Sequence, residues 1–89
     1  MSERVEQIRQ CLQARFAPTE LKVIDESHQH AGHAGAASGR GHFRVQISAD
    51  AFSAMSLIQR HRAIYEALGS LMQTDIHALA IEARVPAAG

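Results

Sequence analysis

The histidines are the residues of this chain best equipped to do chemistry. Four of its six (His28, His30, His33 and His42) fall within one stretch, DESHQHAGHAGAASGRGHFRV, which runs from Asp25 to Val45. Imidazole is the commonest protein ligand for a metal. Several imidazoles on one segment rich in Gly, Ala and Ser suggest a site that closes around something. His77 stands apart, next to Ala78-Leu79, where a strand end would hold its ring on a rigid element with the tip near solvent. Its bland alternative is a histidine at the core edge whose nitrogens bond backbone. For the loop histidines the alternative is a solvated polar loop, although residues 28–41 approach the length at which unstructured connections are usually functional or disordered.

Other chemistries find little support. His28, His30 and His33 come with neither a CxxC pair nor a HExxH helix, so the pattern argues against a closed structural zinc site. No Ser-His-Asp set, paired carboxylates or phosphate-cradling glycine loop stands out, and Gly39-Arg40-Gly41 reads as flexibility before a strand. The lone Cys11 reads as a half-buried small residue beside a helix face and cannot form an internal disulfide. That fits a reducing compartment.

Periodicity supplies the elements that must position these side chains. Ser2 can cap a first helix whose apolar face is Val5, Ile8, Leu12 and Phe16, ended by Pro18. ELKVID (20–25) reads as a strand. Residues 42–48 alternate, with Phe43, Val45 and Ile47 on one side and His42, Arg44 and Gln46 on the other, and should pair antiparallel with the first strand. Residues 50–55 make a short helical turn capped by Asp50. Ser56 caps a longer helix with the stripe Leu57, Ile58, His61, Ile64, Tyr65, Leu68, Leu71 and Met72, and Gly69 marks a C-cap or kink. IHALAIEA (76–83) is a third strand with Leu79 and Ile81 on one face and His77 sharing it. Residues 84–89 form a tail. The order αββααβ predicts one two-layer α+β domain over 1–89, a three-stranded mixed sheet with its helices on one face.

Composition agrees. Of 89 residues, 46% are hydrophobic, only 4% are aromatic and the formal net charge is zero, so the core must rest on Leu, Ile, Val and Ala. Zero net charge argues against holding nucleic acid by bulk charge, although histidines titrating near about 6.5 would strengthen such binding in mild acid. No apolar run approaches the ~20 residues of a membrane span, and the first ten residues lack a signal peptide's apolar stretch. A soluble cytoplasmic protein is expected.

VIDESHQHAGH (23–33), HFRVQI (42–47), AFSAMSLIQRHRAIYEAL (51–68) and DIHALAIEARVP (75–86) together resemble the BolA family, in its order and spacing. The resemblance implies a fold like the type II KH domain. Phe52-Ser53-Ala54-Met55-Ser56 has no glycine where KH modules carry GXXG, so RNA clamping of that kind is not expected. The resemblance further implies a monothiol glutaredoxin as partner and a bridging 2Fe-2S cluster. On the family's pattern His77 is one ligand and a loop histidine the other. The alignment around Glu26-Ser27 points to His30, with His28 and His33 close enough to substitute. A 2Fe-2S cluster takes four ligands, usually thiolates. This chain cannot supply them, so the glutaredoxin cysteine and glutathione would. No enzymatic activity is expected.

Some members of the family are connected with DNA and cell shape. Residues 50–68 resemble a helix-turn-helix, and Arg60 and Arg62 should reach solvent there, with Arg44 adding positive charge. An acidic partner surface would suit the same residues. His61, on the apolar stripe, should be structural, with one nitrogen bonded to backbone.

Overall fold

The computed structural model describes residues 3–27 and 41–87. His28, His30 and His33, and the expected cap Ser2, lie outside the described residues. The order is α1 (Glu3–Phe16), β1 (Glu20–Asp25), β2 (Gly41–Ser48), a 3₁₀ turn (Asp50–Ala54), α2 (Leu57–Leu68), a one-turn helix α3 (Leu71–Thr74) and β3 (Ile76–Arg84).

Helix α1 buries Ile8, Leu12 and Phe16, as their spacing requires. It stops at Ala17, whose φ of 46° turns the chain into the left-handed region while its N–H donates to the Gln13 carbonyl at 3.1 Å. Pro18 follows and cannot extend the helix.

The sheet order is β1-β2-β3, with β1 antiparallel and β3 parallel to the central strand β2. The expected α+β domain with a mixed sheet is what the chain forms. Side chains alternate along β2, so Phe43, Val45 and Ile47 are buried under the helices while His42, Arg44 and Gln46 face the open side. Ile64 and Leu68 of α2 and Phe52 of the 3₁₀ turn close the core with α1.

Several boundaries differ from the sequence reading, each for a local reason. Gly41, expected in the loop, begins β2 because its N–H donates to the Asp75 carbonyl at 2.9 Å. Arg84, expected in the tail, ends β3 because its carbonyl accepts from the Ala49 N–H at 3.1 Å. Ala49, not Asp50, occupies the cap position of the 3₁₀ turn. Ser56 does cap α2, in a reciprocal box with Gln59. Gly69, at φ 55°, terminates α2, so Leu71 and Met72 belong to α3.

The long apolar stripe expected on α2 is only partly used. Leu57, Ile58 and Tyr65 are 65%, 64% and 41% exposed. A helix turns about 100° per residue, so Tyr65 points well away from buried Ile64, and a two-layer domain covers only one arc of α2.

Gly41 is required by space. A Cβ there would lie 2.7 Å from the Phe43 ring and 2.7 Å from Ser27 Oγ. Gly41→Ala is therefore expected to destabilise the fold by about 1–3 kcal/mol. Urea unfolding checks this: the midpoint should fall with an unchanged slope.

Candidate functional site

The register between β2 and β3 shifts at their shared beginning. Gly41 pairs with Ile76, but His42 pairs with Ala78. His77 is the extra residue of a β-bulge, a feature that re-aims a side chain and ends strict alternation. Ile76 therefore takes the core side, at 1% exposure, while His77 is left exposed. The expectation that His77 shares a face with Leu79 and Ile81 is corrected by this bulge. The exposed strand-end imidazole expected of it is present.

His77 lies against His42, with ring centroids 5.2 Å apart and the planes tilted by 51°. His42 is held firmly at its main chain. Its N–H donates to Ser27 Oγ at 3.0 Å, and its carbonyl accepts from the Glu26 N–H at 2.8 Å. Asp25 Oδ1 accepts from the Ser27 N–H at 2.8 Å, which fixes the turn at the end of β1. Ser27 and Gly41 thus both sit beside the His42–His77 pair. A shallow depression next to the pair is lined by Glu26, His42, Phe43, Arg44, Ala78, Leu79 and Ala80.

Among the described residues no group of three or more His, Cys, Asp or Glu side chains is placed to hold a metal ion. The exposed imidazole at the start of β3 is that of His77. A single imidazole suits a shared coordination sphere and not a closed one.

The arginines divide sharply. Arg44 is engaged on the open face: its Nε donates to Glu26 Oε2 at 2.9 Å and its Nη1 to Glu82 Oε2 at 3.4 Å. Glu82 also accepts from Gln46 Nε2 at 3.1 Å and from Arg84 Nη2 at 3.2 Å. These partners raise the Arg44 pKa, chiefly through Glu26. The hydrogen bond from Gln46, helped by Arg44 and Arg84, holds the Glu82 carboxyl below its ordinary value of 4.5. The partners Glu26 and Glu82 escaped the sequence reading, although alternation places Glu82 on the outward face with Arg44.

Arg60 does not reach for solvent. Its Nε donates to the Phe52 and Met55 carbonyls at 3.2 and 3.1 Å, and its Nη1 to the Ala83 carbonyl at 3.1 Å. It ties the end of the 3₁₀ turn and the end of β3 to α2, and the expectation of a solvent-facing contact residue is corrected. Arg62 is exposed as expected. His61 is half-buried, but its ring makes no hydrogen bond with a described residue, so the expected bond from ring to backbone is absent among them. Cys11 is half-buried against the core edge, as its position on α1 implies.

Two outcomes follow from these placements. Arg60→Ala should cost about 1.5–3 kcal/mol, because it removes a charged donor from the Met55 and Ala83 carbonyls and leaves the Phe52 carbonyl only its bond from the Met55 N–H. Arg62→Ala should stay within about 0.5 kcal/mol of the parent. Thermal melts of the two variants make the comparison. A carboxylate whose folded pKa is lowered adds stability above its unfolded value, lost as pH falls through the lower folded value. The stability gap between the parent and Glu82→Gln should therefore be present at neutral pH and shrink below about pH 4.5. Denaturation at pH 7 and pH 3 measures it.

Comparison with known proteins gives a consistent result. The family model described as BolA-like protein matches residues 12–88. SufE-like protein 1 of Arabidopsis thaliana, named as chloroplastic/mitochondrial, is 41% identical over 98% of this chain, which spans only 25% of that protein. The DNA-binding transcriptional regulator BolA of Escherichia coli K12 is 41% identical over 85% of this chain and 70% of its own. Among solved structures, the BolA domain of SufE1 from Arabidopsis thaliana superposes with a TM-score of 0.85 at 41% identity, covering 97% of this chain and 95% of that one.

Proposed function

Because this chain belongs to the BolA family, we propose that it is a non-catalytic adaptor that docks a monothiol glutaredoxin and completes the coordination of a shared 2Fe-2S cluster. The observation that carries this reading is the exposed imidazole of His77, pushed out of the strand ladder by a bulge beside the base of a histidine-rich segment. The cluster is cargo, held between two proteins. His77 supplies one nitrogen. A histidine of the 28–41 segment supplies the second: on the family's pattern around Glu26-Ser27 it is His30, with His28 and His33 as substitutes. The thiolates come from the glutaredoxin cysteine and from glutathione, because Cys11 packs against the core edge on α1.

Ligand type sets the properties of such a site. Neutral imidazoles in place of thiolates reduce the negative charge around the irons and raise the potential, as in Rieske centres. An imidazole must be unprotonated to bind, so acid releases the cargo. An adaptor of this kind serves iron–sulfur trafficking or iron sensing, in a reducing compartment such as the cytoplasm. No helix among the described residues is long and apolar enough to cross a membrane.

A second reading, a transcriptional regulator that binds DNA through residues 56–68, is favoured by the name of the Escherichia coli relative. Arg62 is the exposed cation of that helix, whereas Arg60 and Arg44 are occupied by intramolecular bonds. With so few free cations, any DNA binding should have a shallow salt dependence. A steep slope that Arg62→Ala flattens by about one unit would favour the regulator.

The adaptor reading is tested by mixing the chain with a cluster-loaded monothiol glutaredoxin and following visible circular dichroism. The parent should change the cluster bands. His77→Ala, folded by its thermal melt, should not. Equal changes with parent and variant would remove His77 from the ligand set.

A further inference from the structure

The bulge exposes His77 but also weakens its control. A residue inserted in a β-ladder has no cross-strand partner of its own, so backbone pairing alone does not fix where its ring points. Among the described residues β3 is also an edge strand of the sheet, with no strand beyond it. Among the described residues no hydrogen bond holds the His77 ring, and its one ring contact is His42.

His42 is the opposite case. It sits on the central strand, and its N–H and carbonyl are tied to Ser27 and Glu26. The His42 ring is half-buried, with Nε2 shut away from solvent. That nitrogen is closed to an incoming metal, while the ring lies against His77.

We propose that His42 is a positioning residue: its ring is the wall on which the His77 imidazole rests, and it fixes the direction in which His77 meets its ligand without coordinating anything itself. The role toward a cluster rests on the adaptor reading above. The contact between the two rings does not.

Two variants separate the possibilities. His42→Phe keeps an aromatic wall and removes both nitrogens. His42→Ala removes the wall. In the unloaded protein, carbon–proton NMR of the His77 ring should show a ring-current shift in the parent. The shift should persist in His42→Phe and collapse in His42→Ala. With cluster-loaded glutaredoxin, His42→Phe should retain the His77-dependent dichroism, and His42→Ala should hold the cluster about tenfold more weakly.

Loss of the bands in a folded His42→Phe would make His42 a ligand and overturn the proposal. So would His77 resonances that are the same in parent and His42→Ala. If His42→Ala fails to fold, the His42→Phe result decides alone. A His77→Ala variant with unchanged bands would overturn the cluster reading, while the unloaded NMR comparison would still decide whether His42 holds the ring.

Discussion

The parallel pairing of β3 along β2 is the constraint on which the rest of the molecule depends. A parallel neighbour cannot be reached by a hairpin, so the chain must cross over, and here α2 and α3 make that crossing. The same crossing places Ile64 and Leu68 over the inward side chains of β2 and completes the core. It also fixes the register at which β3 begins. Ile76 has to reach the core while Ala78 stays level with His42, and a single extra residue accommodates both. That residue is the exposed His77.

The polar chemistry of the surface follows from the same sheet. The helices cover one side, and the other carries Arg44, Gln46, Glu82 and Arg84 in mutual contact. Positive charge that would serve a nucleic-acid surface is spent within the protein, on Glu26 and Glu82 in one place and on three main-chain carbonyls in another. Such half-exposed ion pairs contribute little to stability singly. Their importance here is that they settle which arginines are left to meet a partner.

Much of the fold was legible because β2 and α1 carry clean periodicities. A step of two in Phe43, Val45 and Ile47, and steps of three and four in Ile8, Leu12 and Phe16, leave one buried face each. The α2 stripe misled, because apolar residues at helical spacing report a face but not its coverage. Leu57, Ile58 and Tyr65 satisfy the pattern and still face solvent. Arg60 misled for a related reason: a charged residue off the stripe usually means water, and only the fold shows three carbonyls within its reach. The bulge at His77 leaves no signature in one sequence, since it arises from the meeting of two strands. Hence His77 could be singled out as a candidate from the sequence, whereas its exposure by a register shift and its contact with His42 could not.

The central claim is that a nitrogen of this chain bonds to iron held jointly with a second protein. The most direct measurement is pulsed electron paramagnetic resonance on the one-electron-reduced mixed complex, made from this chain labelled with ¹⁵N-histidine and an unlabelled glutaredoxin. Strong ¹⁵N hyperfine couplings of directly bound imidazole, reduced by one set in His77→Ala, are the predicted result. A spectrum with no strong ¹⁵N coupling from the labelled chain would contradict the account.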